Sequence, residues 1–200
     1  MGPAGVFFMK SLLRNRVTET QQIRLALQGN HTAWEALMRT HQEPVFRLAY
    51  LLLGDPDEAE DVTQETFVRA YRALKGFDAE RPLQPWLLRI ASNLAHNRHR
   101  SIGRYLATLT RFAREDPDGI KQTTIKPEDE SQTLWQAVRQ LAKPFQEVIY
   151  LRYFLDMSES EMVDALDVPA GTVKSRLHRA LTRLRGIVER DFPELKEIVE

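Results

Sequence analysis

The stretch "SESEMVDALDVPAGTVKSRLHRALTRLR", residues 158–185, decides how the chain is read. Ser158 and Glu161 stand in the S-x-x-E order of a capping box, in which hydroxyl and carboxylate each satisfy a backbone N–H of the other residue. They open a short helix, "ESEMVDAL". Asp167 closes it in the left-handed region, which Asp tolerates better than most non-glycine residues. Pro169 suits the first turn of a new helix. Helices of about eight and about eighteen residues, joined by a turn of three or four, make a helix-turn-helix.

Drawn at about 100° per residue, the second helix separates its faces. Val173, Leu177, Ala180, Leu181, Leu184 and Ile187 form an apolar stripe. Thr172, Ser175, His178, Arg179 and Thr182 lie opposite, with Lys174, Arg176 and Arg183 on the flanks. Short polar groups and an arginine facing base edges, with cations toward the phosphate walls, suit a DNA major groove. Arg179 is the candidate for a bidentate guanine contact, and the helix N-terminus offers a phosphate site. An ordinary basic amphipathic helix would share the charge. The capping box, tight turn and separated faces together favour DNA.

The charge of this segment is balanced elsewhere. The 200 residues hold 28 basic and 28 acidic side chains. From Val168 to Arg185 there are five bases and no acid, and "DPDEAEDVTQE", 55–65, has six acids and no base. Surfaces of opposite sign imply two different partners. There is no cysteine, so disulfides and thiolate chemistry are excluded. The N-terminal "MGPAGVFFMKSLLRNRV" is too short and too weakly apolar for a signal peptide or membrane span, and reads as a loose tail, 1–17. Met9 is an alternative natural start. A cytoplasmic protein without membrane insertion is expected.

Strand patterns are nearly absent, while 3.6-residue apolar periodicity runs through most of the chain. The expected class is all-α, with two small helical domains joined by a flexible linker. The first covers 18–103. Thr18 caps "ETQQIRLALQG", which stops at Gly29. Pro44 kinks or breaks the next helical run. Asp55 caps a helix with Pro56 in its first position, running to about Leu74. Pro85 opens "WLLRIASNLAHNRHR". The polar stretch 104–130, with Pro117, Gly119 and Pro127, is the linker, although "RYLATLTRFA" retains helical character. The second domain covers 131–192, and 193–200 is a tail.

Two further faces carry chemistry. On the acidic helix, Ala59, Val62, Thr66 and Ala73 point inward with Ala70 at the edge. Asp57, Asp61, Gln64, Glu65, Val68, Tyr71 and Arg72 point outward. Apolar side chains ringed by acids read as a protein-binding surface, against the plainer reading of a solvated face. On the helix after Pro85, Leu87, Ile90, Ala91, Leu94 and Ala95 point inward, and Trp86, Arg89, Asn93, His96 and Arg100 outward. An aromatic ring beside cations and amides fits single-stranded nucleic acid, where bases stack and cations hold phosphates. The loop "GFDAERPLQP" before it offers a pocket for an extruded base, against the reading that Trp86 packs in the core. His96 and His99 stand at i, i+3, but no further ligands have recognisable spacing, so no metal site or cofactor is expected. Nucleophile-elbow and phosphate-loop motifs are absent.

"DEAEDVTQETFVRAYRAL", "RPLQPWLLRIASNLAHNRHR" and "MSESEMVDALDVPAGTVKSRLHRALTRLR", in this order and separation, resemble bacterial RNA polymerase sigma factors of the extracytoplasmic-function (ECF) group. The resemblance covers about residues 25–190. It implies a sigma-2-like bundle followed by a sigma-4-like helix-turn-helix domain. Asp61, Gln64, Glu65 and Phe67 fall on the family's D-x-x-Q-E-x-F motif, which implies docking on the clamp helices of the polymerase β′ subunit. The β subunit is the further polymerase contact. Gly76 to Arg100 would bind and melt the promoter −10 element. Thr172, Lys174, Ser175, Arg176, His178 and Arg179 fall on the pattern that reads the −35 element. The linker would thread toward the RNA exit path, and an anti-sigma factor is a possible partner. Such a protein carries no catalysis of its own. The chain departs from the family at Asp167, usually glycine, at Glu159–Ser160, and at Leu181, commonly basic. Two other readings remain open: a helix-turn-helix regulator acting without polymerase, and an all-α enzyme using His96 and His99.

Overall fold

The computed structural model describes the backbone of residues 19–112 and 130–193, and the side chains of 19–98 and 133–193. The described backbone contains helices and turns and no strand. The chain divides into two compact units, the first running to Ala95 and including Asp164–Leu166, the second taking the rest, so that the main division falls on one helix between Ala95 and His96.

In the first unit, α1 spans residues 19–27 and ends at Gly29, whose φ of +88° reverses the chain. Its Thr18 cap lies outside the described residues. Helix α2, His31–Leu53, starts at Asn30, whose side chain accepts the Ala33 N–H at 3.0 Å. It closes at Gly54 with φ +77°. Helix α3, Pro56–Ala73, starts at Asp55, whose carboxylate accepts the Glu58 N–H at 2.9 Å. Such a cap contributes about 1 kcal/mol, and Pro56 occupies the first turn, where an N–H has no helical acceptor. A short 3-10 turn, Leu74–Gly76, follows, and then α4, Leu83–Phe112.

The core of this unit gathers Ile23, Trp34, Leu37, Val45, Leu48, Val62, Phe67, Leu83, Leu87 and Leu88, all buried. His41, buried among them, places Nε2 2.8 Å from the Glu19 carboxylate and so ties α2 to α1.

Three expectations are corrected here. Pro44 does not break α2. The lost backbone bond and ring clash cost about 3 kcal/mol. Leu37 and His41 before the proline, and Val45, Leu48, Ala49, Leu51 and Leu52 after it, are buried in the same unit and outweigh that cost. On α3, Phe67 points inward and Ala73 is exposed. The stripe is therefore Ala59, Val62, Thr66, Phe67 and Ala70. Helix α4 does not stop with the expected first domain at 103 but runs to Phe112, through the part of the linker, "RYLATLTRFA", that was expected to retain helical character. Apolar residues at Ile102, Tyr105, Leu106, Leu109 and Phe112 keep helical spacing, with no proline between Gly103 and Pro117, and a single glycine costs only about 1 kcal/mol. The rest of the expected linker, 113–129, lies outside the described residues.

In the second unit, α5 spans Glu130–Arg139 and α6 spans Lys143–Ile149. A π-helical turn, Tyr150–Phe154, continues α6, with the Leu155 N–H bonded to the Tyr150 carbonyl at 3.1 Å. That wider turn lies outside a 3.6-residue pattern and was not expected. Helix α7 is Glu159–Leu166, and α8 is Ala170–Asp191. Val138, Val148, Ile149, Tyr150, Leu151, Met162, Val173, Ala180, Leu184 and Val188 form the core. Burial keeps the Tyr150 hydroxyl protonated well above the ordinary tyrosine range.

Candidate functional site

Helices α7 and α8 form the expected helix-turn-helix. The Ser158 hydroxyl accepts the Glu161 N–H at 3.3 Å, and the Glu161 carboxylate accepts the Ser158 N–H at 2.8 Å, completing the capping box. Asp167 adopts φ +55° and ψ +46°, the left-handed conformation expected of it. Pro169 is the N-cap of α8, one residue ahead of the first turn where it was expected, and its carbonyl accepts from Thr172 and Val173 at 2.8 and 3.1 Å.

Burial of Val173, Ala180, Leu184 and Val188 turns the opposite face of α8 outward. Leu177, Leu181 and Ile187, expected in the stripe, are half-buried at its edges, and Val188 completes it instead. Of the six residues on the −35 pattern, Lys174, Ser175, His178 and Arg179 are exposed, whereas Thr172 and Arg176 are half-buried. Lys174 Nζ is 3.6 Å from the Glu159 carboxylate on α7, so this cation spans the two helices. The Arg179 guanidinium folds back along its own helix, donating to the Ser175 carbonyl at 3.0 Å and the Ser175 hydroxyl at 3.3 Å. Arg183 lies over the Phe145 ring at 4.4 Å, not as a free flanking cation.

The outward face of α3 is as acidic and apolar as expected. Asp57, Asp61, Gln64, Val68 and Tyr71 are exposed, and Glu65 is half-buried. Val68 and Tyr71 are 43% and 40% exposed, high values for an apolar and an aromatic side chain in a packed unit. Tyr71 is propped from behind by Trp34, with ring centroids 5.4 Å apart, and His31 lies 6.2 Å away. These two supports from α2 were not singled out in the sequence, because nothing in their spacing links them to α3. Gln64 donates to Glu60 at 3.2 Å, and Arg69 donates to Glu65 at 2.7 Å. The Glu65–Arg69 pair, with both side chains about half exposed, contributes little stability. Phe67 is 4% exposed and packs edge-on to Trp34 at 6.3 Å, so it anchors the helix beneath this face and is not itself a contact surface.

The α4 face is less open than expected. Asn93 is exposed, while Trp86, Arg89 and His96 are half-buried. The Arg100 and His99 side chains lie outside the described residues. Trp86 has a neighbour already, the Phe77 ring at 4.7 Å. Phe77 belongs to the loop ahead of α4, which is shaped by the Phe77 N–H bonding to Leu74 at 2.9 Å and the Arg81 N–H to Asp78 at 3.0 Å. Leu88 and Ser92 are buried, whereas Ile90 and Leu94 are only half-buried, so the helix is rotated slightly from the expected stripe. Among the described residues, no three His, Asp or Glu side chains are grouped to hold a metal ion.

Residues 37–105 match the Sigma-70 region 2 family and 131–184 match Sigma-70, region 4. The chain is 30% identical over 187 residues to the ECF RNA polymerase sigma factor SigW of Bacillus subtilis, covering 88% of this chain and 97% of that protein. It is 32% identical over 162 residues to an RNA polymerase sigma-E factor of Streptomyces antibioticus, covering 81% and 88%. Its fold is similar to that of CnrH, solved in complex with the cytosolic domain of CnrY. The TM-score is 0.65 and the identity 26%, over 87% of this chain and 99% of that one. The fold is also similar to that of the sigma factor RpoE from Bartonella quintana, with TM-score 0.61 and 23% identity over 78% and 97%. The chain belongs to the ECF group of RNA polymerase sigma factors. It therefore works with core RNA polymerase on promoter DNA, and the alternative of a helix-turn-helix regulator acting without polymerase is not favoured.

Proposed function

We propose that the three faces divide the work of initiation. The outward side of α3, with Asp57, Asp61, Gln64, Glu65, Val68 and Tyr71, docks on the β′ clamp helices. The start of α4, with Trp86, Arg89, Asn93, His96 and Arg100, engages the melted −10 element. Helix α8 reads the −35 element through Thr172, Lys174, Ser175, Arg176, His178 and Arg179. The two sigma-like domains correspond to 18–103 and 131–192, with α4 carrying helix beyond the first. Polymerase performs the bond-forming chemistry, and this chain performs none. Its work on chromosomal DNA places it in the cytoplasm; no described helix is long and apolar enough to cross a membrane. An anti-sigma factor would act by covering the α3 and α8 faces. CnrH, solved with the cytosolic domain of CnrY, supports a protein partner of that kind.

The observation that carries this reading is the exposure of Val68 and Tyr71 among the acids of α3, on a different unit from the cations of α8. An apolar-centred, charge-rimmed face is built for a protein and repels DNA. Asp61→Arg reverses a charge on an exposed position. It is expected to abolish binding to core polymerase in a pull-down while leaving the helical circular dichroism spectrum unchanged. Normal polymerase affinity in that variant removes the interface from α3.

A further inference from the structure

Two cations of the recognition helix share one aromatic ring. The Arg183 guanidinium carbon lies 4.4 Å from the Phe145 ring centroid, and that of Arg179 lies 6.0 Å from it. Both fall within the roughly 6 Å over which a ring's negative face attracts a guanidinium. Phe145 stands in the first turn of α6, half-buried, and its position is fixed by the chain around it. Its N–H bonds to the Ala142 carbonyl at 2.8 Å. The next side chain, Gln146, donates to the Arg139 and Leu141 carbonyls at 2.9 and 2.7 Å, closing the α5–α6 turn. Val148, Ile149 and Tyr150, which follow it in the chain, are buried and hold this helix in the core.

Arg179 is held from a second side. Its two bonds to Ser175 draw the guanidinium one turn toward the N-terminus of α8, and the Ser175 hydroxyl itself donates to the Thr172 carbonyl at 3.1 Å. Recognition helices present base-reading groups from that end. A long side chain already held in place loses less rotamer freedom when it binds.

We propose that Phe145, outside the helix-turn-helix, is a positioning residue for promoter reading, its ring holding Arg179 and Arg183 so that Arg179 meets the DNA in one orientation. This rests on the reading of α8 as the −35 helix. Arg183 is then a brace against the ring and not a phosphate contact. Promoter discrimination at the base pair read by Arg179 depends on an aromatic ring at 145, while charge-driven binding to any DNA does not.

The test uses holoenzyme reconstituted from the full chain and core polymerase, on promoter fragments carrying every base at each −35 position. Wild type, Phe145→Leu, Phe145→Trp and Arg179→Ala are compared. Phe145→Leu is expected to reduce discrimination about two- to fivefold at the position where Arg179→Ala relaxes it. Its affinity for unrelated DNA and its salt slope stay as in wild type, and Phe145→Trp keeps the discrimination. Unchanged discrimination in Phe145→Leu overturns the proposal, as does equal weakening at every position with a lowered melting temperature, the mark of a merely structural role. Should Phe145→Leu fail to fold, Phe145→Trp decides: retained discrimination supports the positioning role, and its loss in a folded protein overturns it. A wild-type holoenzyme with no −35 preference overturns the reading of α8 itself, a failure visible before any Phe145 variant is compared.

Discussion

Arg179 is exposed yet not loose, because Ser175 anchors it within its own helix. Replacing it with alanine removes the longest donor on the outward face of α8. The expected cost is about 1–3 kcal/mol of specific promoter affinity, with preference relaxed at a single −35 position, and competition binding against single-base promoter variants measures it. The periodicity of α8 identified this face because charge and apolar residues alternate cleanly there. It put Arg183 on a flank toward phosphate and could not show the ring it meets, since a helical wheel assigns a direction but not a neighbour, and Phe145 lies 38 residues earlier in the chain. Phe67 was misplaced for the opposite reason: the family motif put it among the contacts, while Trp34 packs against it from inside. A further prediction concerns Tyr150, whose hydroxyl burial holds protonated. Its folded pKa lies above the ordinary 10.0, so its stabilising contribution is complete below that pH and is lost as pH rises beyond it. Stability of the second unit should therefore decline above about pH 10, and Tyr150→Phe should lessen that decline in alkaline denaturation curves.

Helix ends are where the sequence spoke most clearly. Asp55 with Pro56, Ser158 with Glu161, Gly29 and Asp167 each mark a boundary by local chemistry, and each is observed in that role. Gly54 adds one more, with φ +77° and its N–H bonded to Tyr50 at 2.7 Å. Gly54→Ala forces a β-carbon into left-handed backbone between α2 and α3, and is expected to destabilise the first unit by about 1–2 kcal/mol, read as a lowered melting temperature. Helix interiors were harder to read. Pro44 was read as a kink or a break; the helix runs through it unbroken, with tertiary burial on both sides. The first domain was bounded at 103, but the helix continues to Phe112, through the stretch whose apolar spacing had kept helical character. The π-helical turn at Tyr150–Phe154 inserts an extra residue that a 3.6-residue template cannot express.

At the scale of the whole chain, neutrality conceals segregation. Six acids between residues 55 and 65 and five bases between 168 and 185 fall on different compact units, so each face repels the other's partner. That division was legible from composition along the chain. The α4 face was less so: Trp86 is half-buried against Phe77, and stacking potential depends on such neighbours. The central claim is that these surfaces join polymerase to promoters, and transcription tests it most directly. Purified protein, bacterial core polymerase and genomic fragments are incubated with nucleotides, and RNA 5′ ends are mapped with and without the protein. The account predicts new discrete starts that share a pair of upstream elements and disappear with Asp61→Arg. Folded protein that binds a compatible polymerase yet yields no such starts would contradict it.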